Sequence, residues 1–231
     1  MNNLDKLNFS TKTGFNSILI KLRYNEYKKY FKGNNCLEFG CADGEGTKIL
    51  LHYFDRVVGV DGSKDLINKI SHEIRDKRAE FIESYFEKFR TKEKFDFIIL
   101  GHVLEHVDNP VAVIKSAKKC LKESGKMLID VPNALSVHRQ IGKLMGMLPT
   151  EYSLNETDIS IGHQRVYAWK TLRRDIKKAG LKIVKEGGLF FKPFSNQQMS
   201  DLLDENGIIA FNELGKKYPE IAAEIFVICK L

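Results

Sequence analysis

Short apolar runs alternate with stretches whose apolar residues recur at helical spacing, and this alternation persists along most of the chain. Residues 21–31 (KLRYNEYKKYF) read as a helix stopping at Gly33. CLEFG (36–40) is a brief apolar run leading into a glycine-rich turn. A helix over 45–54, a buried strand RVVGVD (56–61), a helix over 64–76 and a strand AEFIES (79–84) follow. FDFIIL (95–100) predicts a fourth strand, and the helix over 110–122 begins at Pro110, a residue suited to a first helical turn. KMLIDVP (126–132) is a fifth strand. A helix over 170–179 closed by Gly180, a strand LKIVKEGG (181–188) and a last apolar run AAEIFVICKL (222–231) complete the series. Strands of this kind joined by helices predict an α/β fold with a mostly parallel sheet covered on both faces. In such sheets ligands bind beyond the carboxyl ends of the strands. The reading is one domain over 1–231, with an N-terminal helical segment 1–34 and two segments, 133–168 and 190–219, that escape the alternation. The first is too long for an ordinary connection and carries His138 and His163, which predicts an insertion covering a substrate.

Composition narrows the class. At 231 residues and 43% hydrophobic content, with 15 Phe, the chain is neither disordered nor low in complexity. No apolar run reaches the roughly 18 residues of a membrane span, and MNNLDKLNFSTKTG lacks the basic-then-apolar pattern of a signal peptide. The expected location is the cytoplasm. Cys36, Cys41, Cys120 and Cys229 are scattered without a CxxC pair, so reduced, mostly buried thiols are expected. The net charge of +7 comes from 28 Lys but only 9 Arg. Lysine is the poorer reader of bases and phosphates, so nucleic acid is not the favoured partner. A small-molecule acceptor, with an anionic one accounting for part of the charge, is.

The densest chemistry lies in Leu37-Glu38-Phe39-Gly40-Cys41-Ala42-Asp43-Gly44-Glu45-Gly46. Its glycines let backbone turn tightly and approach a ligand without a Cβ in the way. Asp61 ends the second strand, followed by Gly62 and Ser63, and an acid there can accept both hydroxyls of a ribose. This stretch resembles the first motif of class I S-adenosylmethionine-dependent methyltransferases. Phe95–Leu100 followed by His102-Val103-Leu104-Glu105-His106-Val107 is similar to that superfamily's fourth motif with its Leu-Glu-His signature. Leu121–Lys126 resembles its hairpin-like approach to strand five, and Val131-Pro132-Asn133, Val166-Tyr167, Leu172 and Ala179-Gly180-Leu181 also match. The resemblance spans about residues 35–190 in order, plus the last strand.

It implies a Rossmann-like seven-stranded sheet of order 3-2-1-4-5-7-6 with the last strand antiparallel, and S-adenosylmethionine as cofactor. Glu38, Gly40, Cys41 and Gly44 would line the methionine and ribose end, Asp61 with Gly62 the ribose hydroxyls, and Leu100 the end of strand four. Tyr85 and Phe86 fall in the adenine-binding stretch, with Tyr85 where the family usually carries an Asp, and Ala42 replaces a common Gly.

Transfer to an alcohol needs a base, and histidine has a suitable intrinsic pKa. His102, directly after strand four, is the chosen catalytic residue, kept neutral by the nearby sulfonium, with His163 and His138 as rivals. His52 and His72 are assigned to the surface. Asn133, Arg139, Arg165 and Tyr167 are the expected acceptor-binding residues. A divalent metal on His102, Glu105 and His106, placed on one helical face by i, i+3, i+4 spacing, is an alternative, although the adopted reading has no metal. The strings at 132–139 and 162–167 resemble those of saccharide- and metabolite-modifying methyltransferases, so O-methylation of a sugar or sugar-linked, phosphorylated intermediate is expected. N-methylation or methylation of a quinone precursor, an RNA-modifying enzyme and a non-catalytic cofactor-binding subunit are the alternatives.

Overall fold

The computed structural model describes residues 11–231; the first ten residues of the expected N-terminal segment lie outside them. Seven strands form one sheet: β1 (Asn35–Phe39), β2 (Arg56–Asp61), β3 (Ala79–Glu83), β4 (Phe95–Gly101), β5 (Leu121–Pro132), β6 (Lys182–Leu189) and β7 (Glu224–Lys230). Their order is β3-β2-β1-β4-β5-β7-β6, as the resemblance implied, with β7 antiparallel to both neighbours. Helices α1 (Gly14–Tyr27), α2 (Glu45–Leu50), α3 (Lys64–Glu73), α4 (Pro110–Lys119) and α7 (Trp169–Ala179) accompany the sheet. Among the described residues no helix is long and apolar enough to cross a membrane.

The alternation of side chains along a strand divides the core. Leu37, Phe39, Ile98, Leu100 and Ile129 pack on one face with Val113 and Ile114 of α4 and Leu172 and Ile176 of α7. Cys36, Phe97, Ile99 and Leu128 pack on the other with Tyr24 and Tyr27 of α1 and Leu50 of α2. All four cysteines are buried and free.

Several boundaries differ from the sequence reading, the expected helices 45–54, 64–76 and 110–122 ending at Leu50, Glu73 and Lys119. The first helix begins at Gly14 and ends at Tyr27, with a 3-10 turn over 28–30, because the polar 11–20 stretch still buries Phe15, Leu19 and Ile20. The expected hairpin at 121–126 is the first part of one long strand. There, Phe95 pairs with Leu121 and Phe97 with Lys126, and the irregularity absorbs the extra residues around Gly125. The two segments outside the alternation are themselves partly helical. They carry α5 (Val137–Leu144) and α6 (Glu156–Ser160) in the first, and α8 (Asn196–Leu202) and α9 (Glu205–Lys217) in the second.

Candidate active site

A cavity of about 670 Å³ opens at the carboxyl ends of β1, β2, β4 and β5, within the roughly 300–1,000 Å³ usual for small-molecule sites. Of the residues expected to bind a cofactor, Glu38, Gly40, Cys41, Asp61 and Phe86 line it. Gly40 adopts φ +80°, and a Cβ there would stand 2.8 Å from a methyl of Val103, so the tight turn after β1 requires glycine. A Cβ on Gly46 would overlap both the Glu38 carboxylate and the Tyr24 hydroxyl, which shows how closely α2 approaches the end of β1. Tyr24 donates to Glu38 (2.9 Å), as does Thr47 (2.5 Å). Burial pushes the Glu38 carboxyl up to about 7, although these two hydrogen bonds pull the other way. Asp61 accepts from the backbone N–H groups of Ala42 (3.2 Å) and Ser63 (3.0 Å), which fixes the carboxylate at the end of β2.

Other expected cofactor contacts are placed elsewhere. Gly44, at φ +82°, starts α2 and faces Ile70 and Ile74, while Leu100 is wholly buried in the core. Gly62 lies outside the cavity lining. Tyr85 is exposed, with the Lys88 ammonium over its ring, so Phe86 is the member of that pair that reaches the cavity.

The opposite end is ionic. His102 follows β4 with φ +53°, a left-handed conformation uncommon for a residue with a side chain. Its Nδ1 lies 3.0 Å from Glu105, and its Nε2 lies 3.0 Å from Asp130 and 3.6 Å from Glu224. Topology brings these acids together. Gly101 pairs with Asp130 across β4 and β5, and Glu224, opening the antiparallel β7, pairs with Pro132 at the end of β5. From α1, Arg23 donates two hydrogen bonds to Glu224 (2.6 and 2.5 Å), and Tyr27 donates to Asp130 (2.7 Å). Burial and Arg23 work to lower the pKa of His102, but Asp130 and Glu224 prevail and hold it well above 6.5. The sequence reading expects a neutral His102 beside a bound sulfonium; Asp130 and Glu224 favour the protonated ring.

The chain from 102 to 108 is a series of turns rather than a helix, so the metal reading's single helical face is not formed. Glu105 points back to His102, His106 and His163, while His102 groups instead with Asp130 and Glu224. The His106 and His163 rings meet edge to face at 4.7 Å, and burial lowers the pKa of His106.

His138 and His163 both line the cavity. Burial, with Lys192 and Arg139 nearby, pushes His138 down to about 3. His163 Nδ1 lies 3.3 Å from Asp158. Asn133 and Arg139 also line it, but their polar groups are engaged. Asn133 donates to the carbonyls of Glu220 and Ala222, and Arg139 donates to Asp158 and to the carbonyls of Glu151 and Ser153. Arg165 and Tyr167 do not reach the cavity. Arg165 ties down the 104–108 turns through the carbonyls of Leu104 and Val107, and the buried Tyr167 donates to Asp175 (3.2 Å). His52 and His72 are exposed, as expected.

The residues that sequence reasoning passed over are Arg23, Tyr24, Tyr27, Asp130, Glu224 and Lys192, all lining the cavity. Asp130 within KMLIDVP and Glu224 within AAEIFVICKL carried a signal, since a carboxylate inside an apolar strand needs a partner.

The strand order β3-β2-β1-β4-β5-β7-β6 with β7 antiparallel is that of the Rossmann-like class I methyltransferase fold. The methyltransferase domain family matches residues 18–186, and the chain belongs to it. Among curated proteins, the chain is 25% identical over 179 residues to a mitochondrial ubiquinone biosynthesis O-methyltransferase of Dictyostelium discoideum, covering 71% of this chain and 54% of that protein. It is 28% identical over 117 residues to a ubiquinone biosynthesis O-methyltransferase of Coxiella burnetii, covering 49% of this chain and 50% of that one. The chain thus spans about half the length of these two relatives. Among solved structures, a SAM-dependent methyltransferase from Archaeoglobus fulgidus superposes with a TM-score of 0.63 at 22% identity, over 92% of this chain and 93% of that one. The N-methyltransferase NodS from Bradyrhizobium japonicum, in complex with S-adenosyl-L-homocysteine, superposes with a TM-score of 0.64 at 15% identity, over 98% and 95%.

Proposed function

We propose that the protein transfers the methyl group of S-adenosylmethionine to a hydroxyl of a small acceptor bound beside His102. The observation carrying this reading is one cavity lined at one end by Glu38 and Asp61 and at the other by the His102–Asp130–Glu224 cluster. S-adenosylmethionine is the methyl donor. Its sulfonium supplies the activated methyl group, so the protein's task is alignment and proton management.

Asp61 would accept the ribose hydroxyls. Glu38, poised near neutrality, would be drawn to its ionised form by the cationic methionine end. Glu105 on Nδ1 would orient His102, and the acceptor's proton would be taken at Nε2, the nitrogen that Asp130 and Glu224 flank. When bound, S-adenosylmethionine would supply the methyl carbon to the acceptor oxygen and leave as its demethylated product, and the acceptor's proton would pass to the His102 cluster. Segments 133–168 and 190–219 contribute His138, Arg139, His163, Lys192 and Asn196 to the cavity, which supports a substrate-covering role.

The ubiquinone O-methyltransferase relatives favour a quinone-precursor phenol as acceptor, alongside the hydroxylated sugar metabolite suggested by the 132–139 and 162–167 strings. Arg165 and Tyr167 of the latter string lie away from the cavity, which shifts weight toward the phenol. The test is incubation with methyl-labelled S-adenosylmethionine and panels of dihydroxybenzoates, sugar phosphates, amines and RNA. Label on a phenol or sugar hydroxyl supports the reading; label confined to amines or RNA contradicts it.

A further inference from the structure

Among the described residues, one lysine and two arginines line the cavity, and both arginines are already engaged. Arg23 is clamped on Glu224 and Arg139 on Asp158. Lys192 is the third, and among the described residues no carboxylate lies within 4.0 Å of it. Its ammonium donates to the side-chain oxygen of Asn196 (2.9 Å) and is otherwise unspent. Glu224 and Asp158 act on it from beyond ion-pair distance, while Arg23 and Arg139 oppose them, and burial lowers its pKa.

The backbone leading to Lys192 is held firmly. Phe190, buried at φ +61°, accepts from the N–H of Ala223 (2.7 Å), and Phe191 donates to the carbonyl of Phe211 (2.8 Å). His138 lines the same cavity, close enough for the Lys192 charge to depress its pKa, and its Nδ1 is buried with no hydrogen-bond partner. A largely desolvated ammonium without an ion-pair partner is costly, and a chain that keeps one on a cavity wall retains a site for a negative charge.

We propose that Lys192, with Asn196 and His138, binds an anionic oxygen group of the methyl acceptor, a carboxylate or a phosphate. This rests on the reading of the cavity as a methyltransferase site and specifies its substrate class: a small acceptor carrying both a hydroxyl and a negative charge. A lysine is a point charge rather than a planar fork, so it suits either group.

The test is calorimetry on protein saturated with S-adenosyl-L-homocysteine, titrated with inorganic phosphate, with benzoate and with neutral benzyl alcohol. Wild type is expected to bind at least one of the two anions and not the alcohol. Phosphate binding alone would assign a phosphoryl acceptor, and benzoate binding alone a carboxylate one. Lys192→Met should weaken the anion by about tenfold or more, as expected for loss of a charged hydrogen bond, and Lys192→Arg should retain it. Affinity for S-adenosyl-L-homocysteine should be unchanged in Lys192→Met. Its melting temperature should be no lower than wild type, because the variant removes a half-buried charge that has no ion-pair partner. If the homocysteine product binds but neither anion does, or if anions bind Lys192→Met as they bind wild type, the proposal is overturned. Failure of the product itself to bind would overturn the methyltransferase reading beneath it.

Discussion

His102 occupies a left-handed backbone conformation, which costs of order 1–3 kcal/mol, and holds a carboxylate beside each ring nitrogen. A protonated imidazole accepts no proton, so the raised pKa sets the pH range of the reaction. As pH rises through the folded-state pKa of His102, the ring loses its proton and becomes a base. The kcat/KM for the acceptor, at saturating donor, is therefore predicted to keep rising on the alkaline side of 6.5. His138, pushed down to about 3, would instead give a rate already level across the neutral range, and that profile would transfer the role to it. At this scale the sequence was legible where chemistry coincided with a strand end. Glu38 and Asp61 stand at the ends of apolar runs and line the cavity. It was not legible where a residue's partners come from far along the chain. Nothing local announces that Glu224 meets Arg23, 201 positions away, or that Arg165 is spent on backbone carbonyls.

Among the elements, α1 and β7 are joined by the longest-range contact in the site. Arg23 grips Glu224 through two hydrogen bonds, with side chains only 15% and 10% exposed. Cutting this pair leaves a carboxylate buried beside Asp130. Arg23→Ala is expected to destabilise the protein by about 3–5 kcal/mol, read from urea unfolding, with Arg23→Lys recovering part of the loss. A loss near zero would mean that water reaches Glu224 and that α1 does not seal the site. Element type was read well because apolar strands flanked by glycine and acid are strong signals. Boundaries were read less well for α1, whose buried Phe15 and Leu19 pack on Phe190 and Met199 of a distant segment rather than on the central sheet. The i, i+3, i+4 spacing of His102, Glu105 and His106 misled for a related reason: Arg165 holds 104–108 as turns from outside, and Pro110 begins the helix only later.

Across the whole molecule, one sheet gathers the acids of β1, β2, β5 and β7 at one edge, and the segments after β5 and β6 add residues to the lining of the same cavity. The antiparallel β7 is essential to this arrangement, since it lies between β5 and β6 and starts where β5 ends, presenting Glu224 beside the carboxyl ends of its neighbours. The strand order was legible through the resemblance carried by the glycine turn and the Leu-Glu-His string. The division of labour within the cavity was not, because it depends on which cations are already paired. The central claim is that this cavity holds S-adenosylmethionine with its ribose on Asp61, and titration calorimetry with S-adenosyl-L-homocysteine tests it most directly. Wild type should bind with one site per chain, and Asp61→Ala should bind roughly 10- to 100-fold more weakly, as loss of charged hydrogen bonds to the ribose requires. Equal affinity in the two proteins, or no binding to wild type, would contradict it.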